Sequence, residues 1–395
     1  MGTRRSARDE RGSSPHEADG ADRTALWAST MEGHVLDARS GVRVAHATSS
    51  ARTAAVPPRA RAEREAQQDG ILAPGATRAV GAGNRARSEK PDLLRTCFER
   101  DSDRVLHSSA FRRLAGKTQV FIDPLDHQRT RLTHAMEVAQ VAVAIARATR
   151  LNEDLVYAAS IAHDCGHGAG GHASEEAFGA FLEGGFDHAS WGADVVLQPL
   201  NLCVETLDAV RNHSWSRPAP ATPEGEVLSW ADRIAYVCHD FEDAVAAGIV
   251  SPRELPPLVA ERCGSTRASQ LSAFITGVIG AVERTGTVGM DDAAAEALAA
   301  FRAWNYERIY LRPDSLEQGR RVRRLLEALV ETYASAPGLL PGGRSPGLAS
   351  GTPGAVRAAV EYVAGMTDRF AVEAACRLLD WPEDELPARY LSRGA

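Results

Sequence analysis

Lysine is nearly missing from this 395-residue chain: Lys90 and Lys117 are the only two, and arginine supplies 43 of the 45 basic residues. A bias of that kind is compositional, so the arginines do not mark a nucleic-acid footprint. Aromatic residues reach only 6% against 44% hydrophobic overall, which fits a globular core built from aliphatic and small side chains. No apolar run approaches the roughly 18 residues of a membrane span. The six cysteines (Cys97, Cys165, Cys203, Cys238, Cys263 and Cys376) are scattered without a CxxC pair, which argues against a zinc ribbon and for reduced thiols. There is no GxxxxGK[ST] phosphate loop and no internal repeat. The net charge is −7, with residues 1–90 carrying 15 Arg+Lys against 11 Asp+Glu, so the excess of acid lies in the body of the chain. Together these features predict a cytoplasmic protein with no membrane association, and they do not indicate a nucleic-acid partner.

Against these absences one stretch is crowded. Ser160 to Glu175 (SIAHDCGHGAGGHASE) holds three histidines and two carboxylates in sixteen residues, broken by glycines. The preceding residues 151–162 have helical spacing, with Leu155, Ala158, Ala159 and Ala162 on one face and Asn152 as N-cap. The helix is expected to end near Gly166, leaving His163 and Asp164 about 100° apart and able to approach one ion from neighbouring directions. The bend at residues 168–171 offers no bulky side chain, so His167 and His172 can fold back over the same space.

Further ligands must come from elsewhere. Residues 92–116 read as a charged helical lead-in, and Arg129 to His134 (RTRLTH) opens a long helix that is apolar on nearly every face from Ala135 to Ala148. His134 stands in its first turn, with Arg131 three residues earlier on the same side, where its guanidinium either holds a phosphate bound to the metal or bonds a carboxylate at the helix end. From Val227 to about Ala247, Asp232, Tyr236, His239, Asp240 and Asp243 share one helical face opposite Ile234, Val237, Cys238 and Phe241. A solvated face would mix Glu, Lys and Arg; this one reads as ligand or substrate contact, led by Asp232. The remainder from Ser251 is helical, with Leu271–Val282, Ala293–Trp304, Ser315–Tyr333 and Ala355–Asp380 as its helices. No segment reads as a core strand, and the predicted fold class is all-α.

His134, His163, Asp164 and Asp232 thus form a set of two imidazoles and two carboxylates. Such N/O ligation suits Mn²⁺, Mg²⁺, Co²⁺, Fe²⁺ or Ni²⁺ better than a thiolate-preferring structural zinc site. It leaves coordination positions for water and a substrate oxygen, the arrangement for hydrolysis of a phosphate ester. The alkoxide leaving group needs a proton, for which His172 is the best placed donor, with Glu175 to orient it.

His134, His163-Asp164 and Asp232 also reproduce the H…HD…D signature of the HD superfamily. Five longer segments resemble its bacterial dNTP triphosphohydrolase (dGTPase-like) branch: Arg95 to Arg104 (RTCFERDSDR), Phe111 to Phe121 (FRRLAGKTQVF), Arg129 to Gln140 (RTRLTHAMEVAQ), Ala231 to Asp240 (ADRIAYVCHD) and Gly365 to Ala371 (GMTDRFA). The resemblance covers residues 61 to 372. It implies a divalent-metal-dependent hydrolase that cleaves a dNTP between the 5′ oxygen and the α-phosphorus. In that family the residues matching His172 and Glu175 act in catalysis, and those matching Arg131 and His167 contact phosphates. Those matching Tyr236 and Asp240 sit by the deoxyribose 3′-hydroxyl, and the match to Gln119 lies near the sugar or base. His188 is expected as a further substrate contact. Members assemble as homo-oligomers, often hexamers, and some respond to a nucleotide effector.

The implied organisation is a disordered N-terminal extension over 1–60, an HD catalytic core with its lead-in over 61–250, and a C-terminal helical region over 251–395 packed on that core. The chain departs from the family pattern at Cys165, at Ala169-Gly170 before His172, and at residues 189–192 (ASWG), which bear on pocket shape and base preference. Two other readings compete. One is an HD phosphohydrolase acting on a monophosphate, a cyclic dinucleotide or a guanosine alarmone. The other is a non-catalytic nucleotide sensor, which would predict damage to the metal or acid residues.

Overall fold

The computed structural model describes residues 20–37, 39–122, 124, 127–342 and 347–387. The chain divides into two compact units, Met1–Pro58 and Arg59–Ala395. The first contains helix α1 (Gly20–Thr30) and a hairpin of β1 (His34–Val35) and β2 (Arg43–Val44), paired antiparallel with His34 opposite Val44. Of the extension expected to be disordered over residues 1–60, residues 1–19 and Ala38 lie outside the described residues. The hairpin forms around Asp37, whose carboxylate accepts from the Arg39 and Ser40 N–H groups at 2.8 Å each, a local turn signal that composition does not register.

Among its described residues the second unit carries fifteen α-helices: α2 (Arg61–Ile71), α3 (Cys97–Leu106), α4 (Ser109–Arg113), α5 (Arg131–Thr149), α6 (Glu153–Ala162), α7 (Ala173–Gly179), α8 (His188–Trp191), α9 (Val204–Asn212), α10 (Pro223–Ala246), α11 (Pro257–Cys263), α12 (Arg267–Thr285), α13 (Asp292–Asn305), α14 (Pro313–Ser335), α15 (Pro353–Ala364) and α16 (Asp368–Leu379). The fold class is all-α, as its composition and periodicity imply.

Helix α5 is the axis of this unit. Val138, Val141, Ala142, Ile145 and Ala146 are fully buried, and with Val227, Leu228, Ile234 and Val237 of α10, Phe274 and Val278 of α12 and Phe301 of α13 they form one core. A helix apolar on all sides is stable only when surrounded, and here α6, α10 and α12 surround it. A second core joins α14, α15 and α16 to Phe178 of α7 and Trp191 of α8. The described residues beyond 250 therefore belong to the same compact unit as residues 59–250.

Two helices are shorter than their periodicity predicts. The lead-in breaks at His107-Ser108, where the Ser108 hydroxyl caps α4 by accepting from Phe111 N–H at 3.1 Å. The single helix expected over Ala355–Asp380 is two, because Gly365 follows α15 and the Thr367 side chain caps α16. In both places a short polar residue competes for backbone donors, an effect that apolar spacing does not report.

Candidate active site

Asn152 caps α6 as expected, its side chain accepting from Asp154 and Leu155 N–H. At Ala162 the helix tightens into a 3₁₀ turn, His163–Gly166, which advances about 120° per residue and so separates His163 from Asp164 more widely than an α-turn would. Both are buried, as is His134 in the first turn of α5; Asp232, on the inner face of α10, is 23% exposed at its side chain. His134 Nε2 lies 3.1 Å from Asp232 Oδ1 and 4.0 Å from Asp164 Oδ2. His163 Nε2 lies 3.4 Å from Asp164 Oδ1 and 3.7 Å from Asp232 Oδ1.

The four residues read from the sequence as metal ligands thus converge from three separate segments. His163 Nδ1 donates to the Ser160 carbonyl at 2.7 Å, and its Nε2 is buried and without a hydrogen-bond partner. An unpaired inward imidazole nitrogen facing two carboxylates could hold a divalent cation, so the residues present fit such an ion. Burial alone would raise the Asp232 carboxyl, but the His134 hydrogen bond and the neighbouring imidazoles outweigh it and hold the group below the usual carboxylate range. Asp164 follows the same pattern: burial opposes ionisation, and the charge of Arg131, ahead of His163 and His167, prevails.

Arg131 is buried and donates from Nη1 to Asp164 Oδ2 at 2.8 Å, while its Nε and Nη2 have no hydrogen-bond partner. Beside it, His167 places Nε2 3.3 Å from Asp164 Oδ1, and its ring stacks on His188 at 3.7 Å between centroids. Glu175, on α7, accepts from His188 Nδ1 and lies 3.8 Å from His172 Nδ1. Burial would raise the Glu175 carboxyl; the two imidazoles hold it low. Of the two histidines, His188 is buried and engaged with Glu175, whereas the His172 side chain is 75% exposed at the rim. The orienting contact expected between Glu175 and His172 is thus shared with, and shorter to, His188.

Further along α10, Tyr236 Oη accepts from Arg302 Nε of α13 at 2.7 Å, and burial pushes its phenol up to about 12. Asp240, one turn on, accepts from the Tyr310 hydroxyl; its Oδ1 is buried without a partner, and burial pushes the carboxyl up to about 7. Gln119 is half-buried with Oε1 unpaired. Cys165 is buried, and that burial pushes its thiol up to about 12, which disfavours the thiolate.

Two family profiles match the chain, one described as HD domain over residues 131–237 and the other as phosphohydrolase-associated domain over 288–377. A deoxyguanosinetriphosphate triphosphohydrolase-like protein from Caldanaerobacter subterraneus is 37% identical over 330 residues, covering 82% of this chain and 95% of the relative. One from Clostridium perfringens is 36% identical over 302 residues, covering 72% and 87%. Deinococcus radiodurans has one at 34% over 366 residues, covering 79% and 97%. The chain belongs to this family of dGTP triphosphohydrolase-like proteins. It is an HD-domain phosphohydrolase, and the HD match begins at Arg131 and encloses His134, His163, Asp164 and Asp232. Among the described residues no helix is long and apolar enough to cross a membrane.

In this phosphohydrolase His213 also lines the site, unmarked by any motif in the sequence. It ends α9, donates from Nδ1 to the Val210 carbonyl at 2.7 Å, and places Nε2 3.2 Å from His188 Nε2. Its ring also lies against His163 at 5.0 Å between centroids. Burial, followed by the charges of His163 and His188, pushes it down to about 4. No local pattern marks it: it stands alone in Arg211-Asn-His-Ser214, and only the return of α9 to the site gives it neighbours. Arg302 and Tyr310 likewise gain their site neighbours only through distant segments.

Gly166 is required by this packing. A Cβ there would lie 1.9 Å from the His188 carbonyl oxygen and 2.5 Å from the Gly192 nitrogen, both backbone atoms with nowhere to go. Gly166→Ala is expected to destabilise the protein by about 3 kcal/mol or more, as overpacking against fixed backbone does. An unchanged melting temperature in that variant would show that the α8 backbone yields.

Proposed function

We propose that the protein hydrolyses deoxynucleoside triphosphates, cleaving between the 5′ oxygen and the α-phosphorus to release a deoxynucleoside and tripolyphosphate. The observation that carries this reading is the convergence of His134, His163, Asp164 and Asp232 beside a buried Arg131 with two unpaired guanidinium nitrogens. The names of the relatives support it. These four residues would hold a divalent cation, with Mn²⁺, Mg²⁺ or Co²⁺ preferred and Fe²⁺ or Ni²⁺ compatible. Such an ion supplies Lewis-acid polarisation of a phosphoryl oxygen and acidifies water.

The chain's own side chains do the rest. The free Nε and Nη2 of Arg131, with His167 alongside, face where phosphate charge would sit. His172, at the rim, can swing toward the leaving 5′ oxygen and deliver its proton, with the Glu175 carboxylate within 3.8 Å to orient the imidazole. Tyr236 and Asp240 would take the deoxyribose 3′-hydroxyl, Asp240 through its unpaired Oδ1, and leave no room for a 2′-hydroxyl. Gln119 would reach the sugar or base. A second reading gives the proton to His188, because it is His188 that bonds Glu175 directly. A homo-oligomer and a nucleotide effector complete the proposal; the intact acid and metal residues weigh against a non-catalytic sensor.

The test is to incubate the protein with each dNTP, alone and mixed, in Mn²⁺, Mg²⁺ or Co²⁺, and separate the products by ion exchange. Deoxynucleoside with tripolyphosphate is expected, and turnover only in mixtures would reveal the effector. Monophosphate with pyrophosphate would place the cleavage at another bond and overturn the mechanism.

A further inference from the structure

Asp368, the first residue of α16, sits in the phosphohydrolase-associated segment and is 7% exposed. Its carboxylate joins two segments of the site that are far apart in sequence. Oδ2 accepts from Thr118 N–H at 2.9 Å and from the Thr118 hydroxyl at 2.5 Å, and Oδ1 accepts from Gly170 N–H at 2.8 Å. Thr118 precedes Gln119 and pairs in an antiparallel bridge with Thr130, next to Arg131. Gly170 lies two residues before His172, and Gly171, at φ +63°, packs so closely that a Cβ would come within 2.9 Å of Arg131 Nη2 and 3.1 Å of the Thr118 carbonyl. Beside them the Lys117 ammonium donates to the His167 carbonyl and, at 3.2 Å, to the Ala364 carbonyl at the end of α15.

An ionised carboxylate is poorly tolerated in a buried site unless several donors surround it, and its two oxygens here receive three. Neutral side chains of the same size cannot do this, since an amide offers one acceptor oxygen and would turn its NH₂ toward an N–H. We propose that Asp368 is a positioning residue for the reaction, through which the C-terminal helices hold the 117–119 segment and the 167–172 loop in register beside the metal ligands. The inference rests on the phosphohydrolase reading for its kinetic consequence, and on the hydrogen bonds alone for its structural one. It makes the C-terminal region part of the active-site scaffold, although none of its residues is among the converging ligands.

The test compares Asp368→Asn, which keeps the side-chain volume, with Thr118→Val, which removes only the hydroxyl bond. Amide hydrogen exchange in peptides covering 117–122 and 166–172 is expected to accelerate in Asp368→Asn, while peptides from α5 and α10 stay protected. Metal stoichiometry is expected to match wild type, and kcat to fall about tenfold to a hundredfold, more than KM rises, because misplacing a catalytic loop acts mainly on the chemical step. Thr118→Val falls between. A merely structural role would lower the melting temperature and leave the kcat of the folded enzyme intact, which overturns the proposal; so does unchanged exchange in both segments. If wild type turns over no dNTP, the proposed substrate is wrong, and the exchange data still decide whether Asp368 holds the loop.

Discussion

Replacing Asp164 by alanine is expected to abolish metal binding and turnover together. Its carboxylate is the hub of the site, within 4.0 Å of His134 Nε2, 3.4 Å of His163 Nε2, 3.3 Å of His167 Nε2 and 2.8 Å of Arg131 Nη1. Removing it deletes one of four donors and the charge that compensates a buried guanidinium. Breaking a buried ion pair on one side costs about 3–5 kcal/mol, so the melting temperature is expected to fall as well. Asp164→Asn separates the two effects, because the amide keeps an acceptor for Arg131 but gives up the negative charge that a cation needs. Elemental analysis of both purified variants would read the metal directly. Wild-type metal content in Asp164→Asn, with activity retained, would remove Asp164 from the ligand set.

His172→Ala is expected to do the opposite on two counts. The side chain is 75% exposed and lies outside the four-ligand cluster, so stability should change by no more than about 0.5 kcal/mol and metal content should be unaffected. Turnover should nevertheless drop by about 10²–10⁴, the range for loss of a general acid. His188→Ala is the informative partner. It removes the hydrogen bond to Glu175 and the stack on His167, so it is expected to lower stability as well as rate. Should His172→Ala retain full rate while His188→Ala loses it at unchanged metal content, the proton donor is His188 and the exposed histidine is a bystander.

The residues that the sequence revealed are those whose neighbours are close in the chain. His163, Asp164 and His167 announce themselves by density, α5 by apolar residues on every side, and the α10 stripe by a spacing of three to four that places Asp232, Tyr236 and Asp240 on one face. Their convergence could be argued because ligation demands it. His213, Arg302 and Tyr310 could not be found this way, since each has an ordinary local context and acquires its role from a distant segment. The split between α15 and α16 was hidden for a related reason. Apolar spacing runs on through Gly365 and Thr367, while the break is made by a capping hydroxyl, and that break puts Asp368 at a helix start facing Thr118. The hairpin at residues 34–44 shows the reverse case, a local turn signal obscured by a composition that resembles an unstructured tail.

The scarcity of lysine, joined to the burial of Lys117, has a practical corollary in covalent labelling. Lys90 is exposed, whereas Lys117 is 2% exposed and burial, reinforced by Arg113, pushes its amine down to about 7. An amine-directed acylating reagent therefore meets one accessible lysine in the native chain and gains a second only when the 117–119 segment comes away from His167 and Ala364. A mass spectrum of the acylated protein would count that opening chain by chain, without substrate, metal or a reporter group having been introduced.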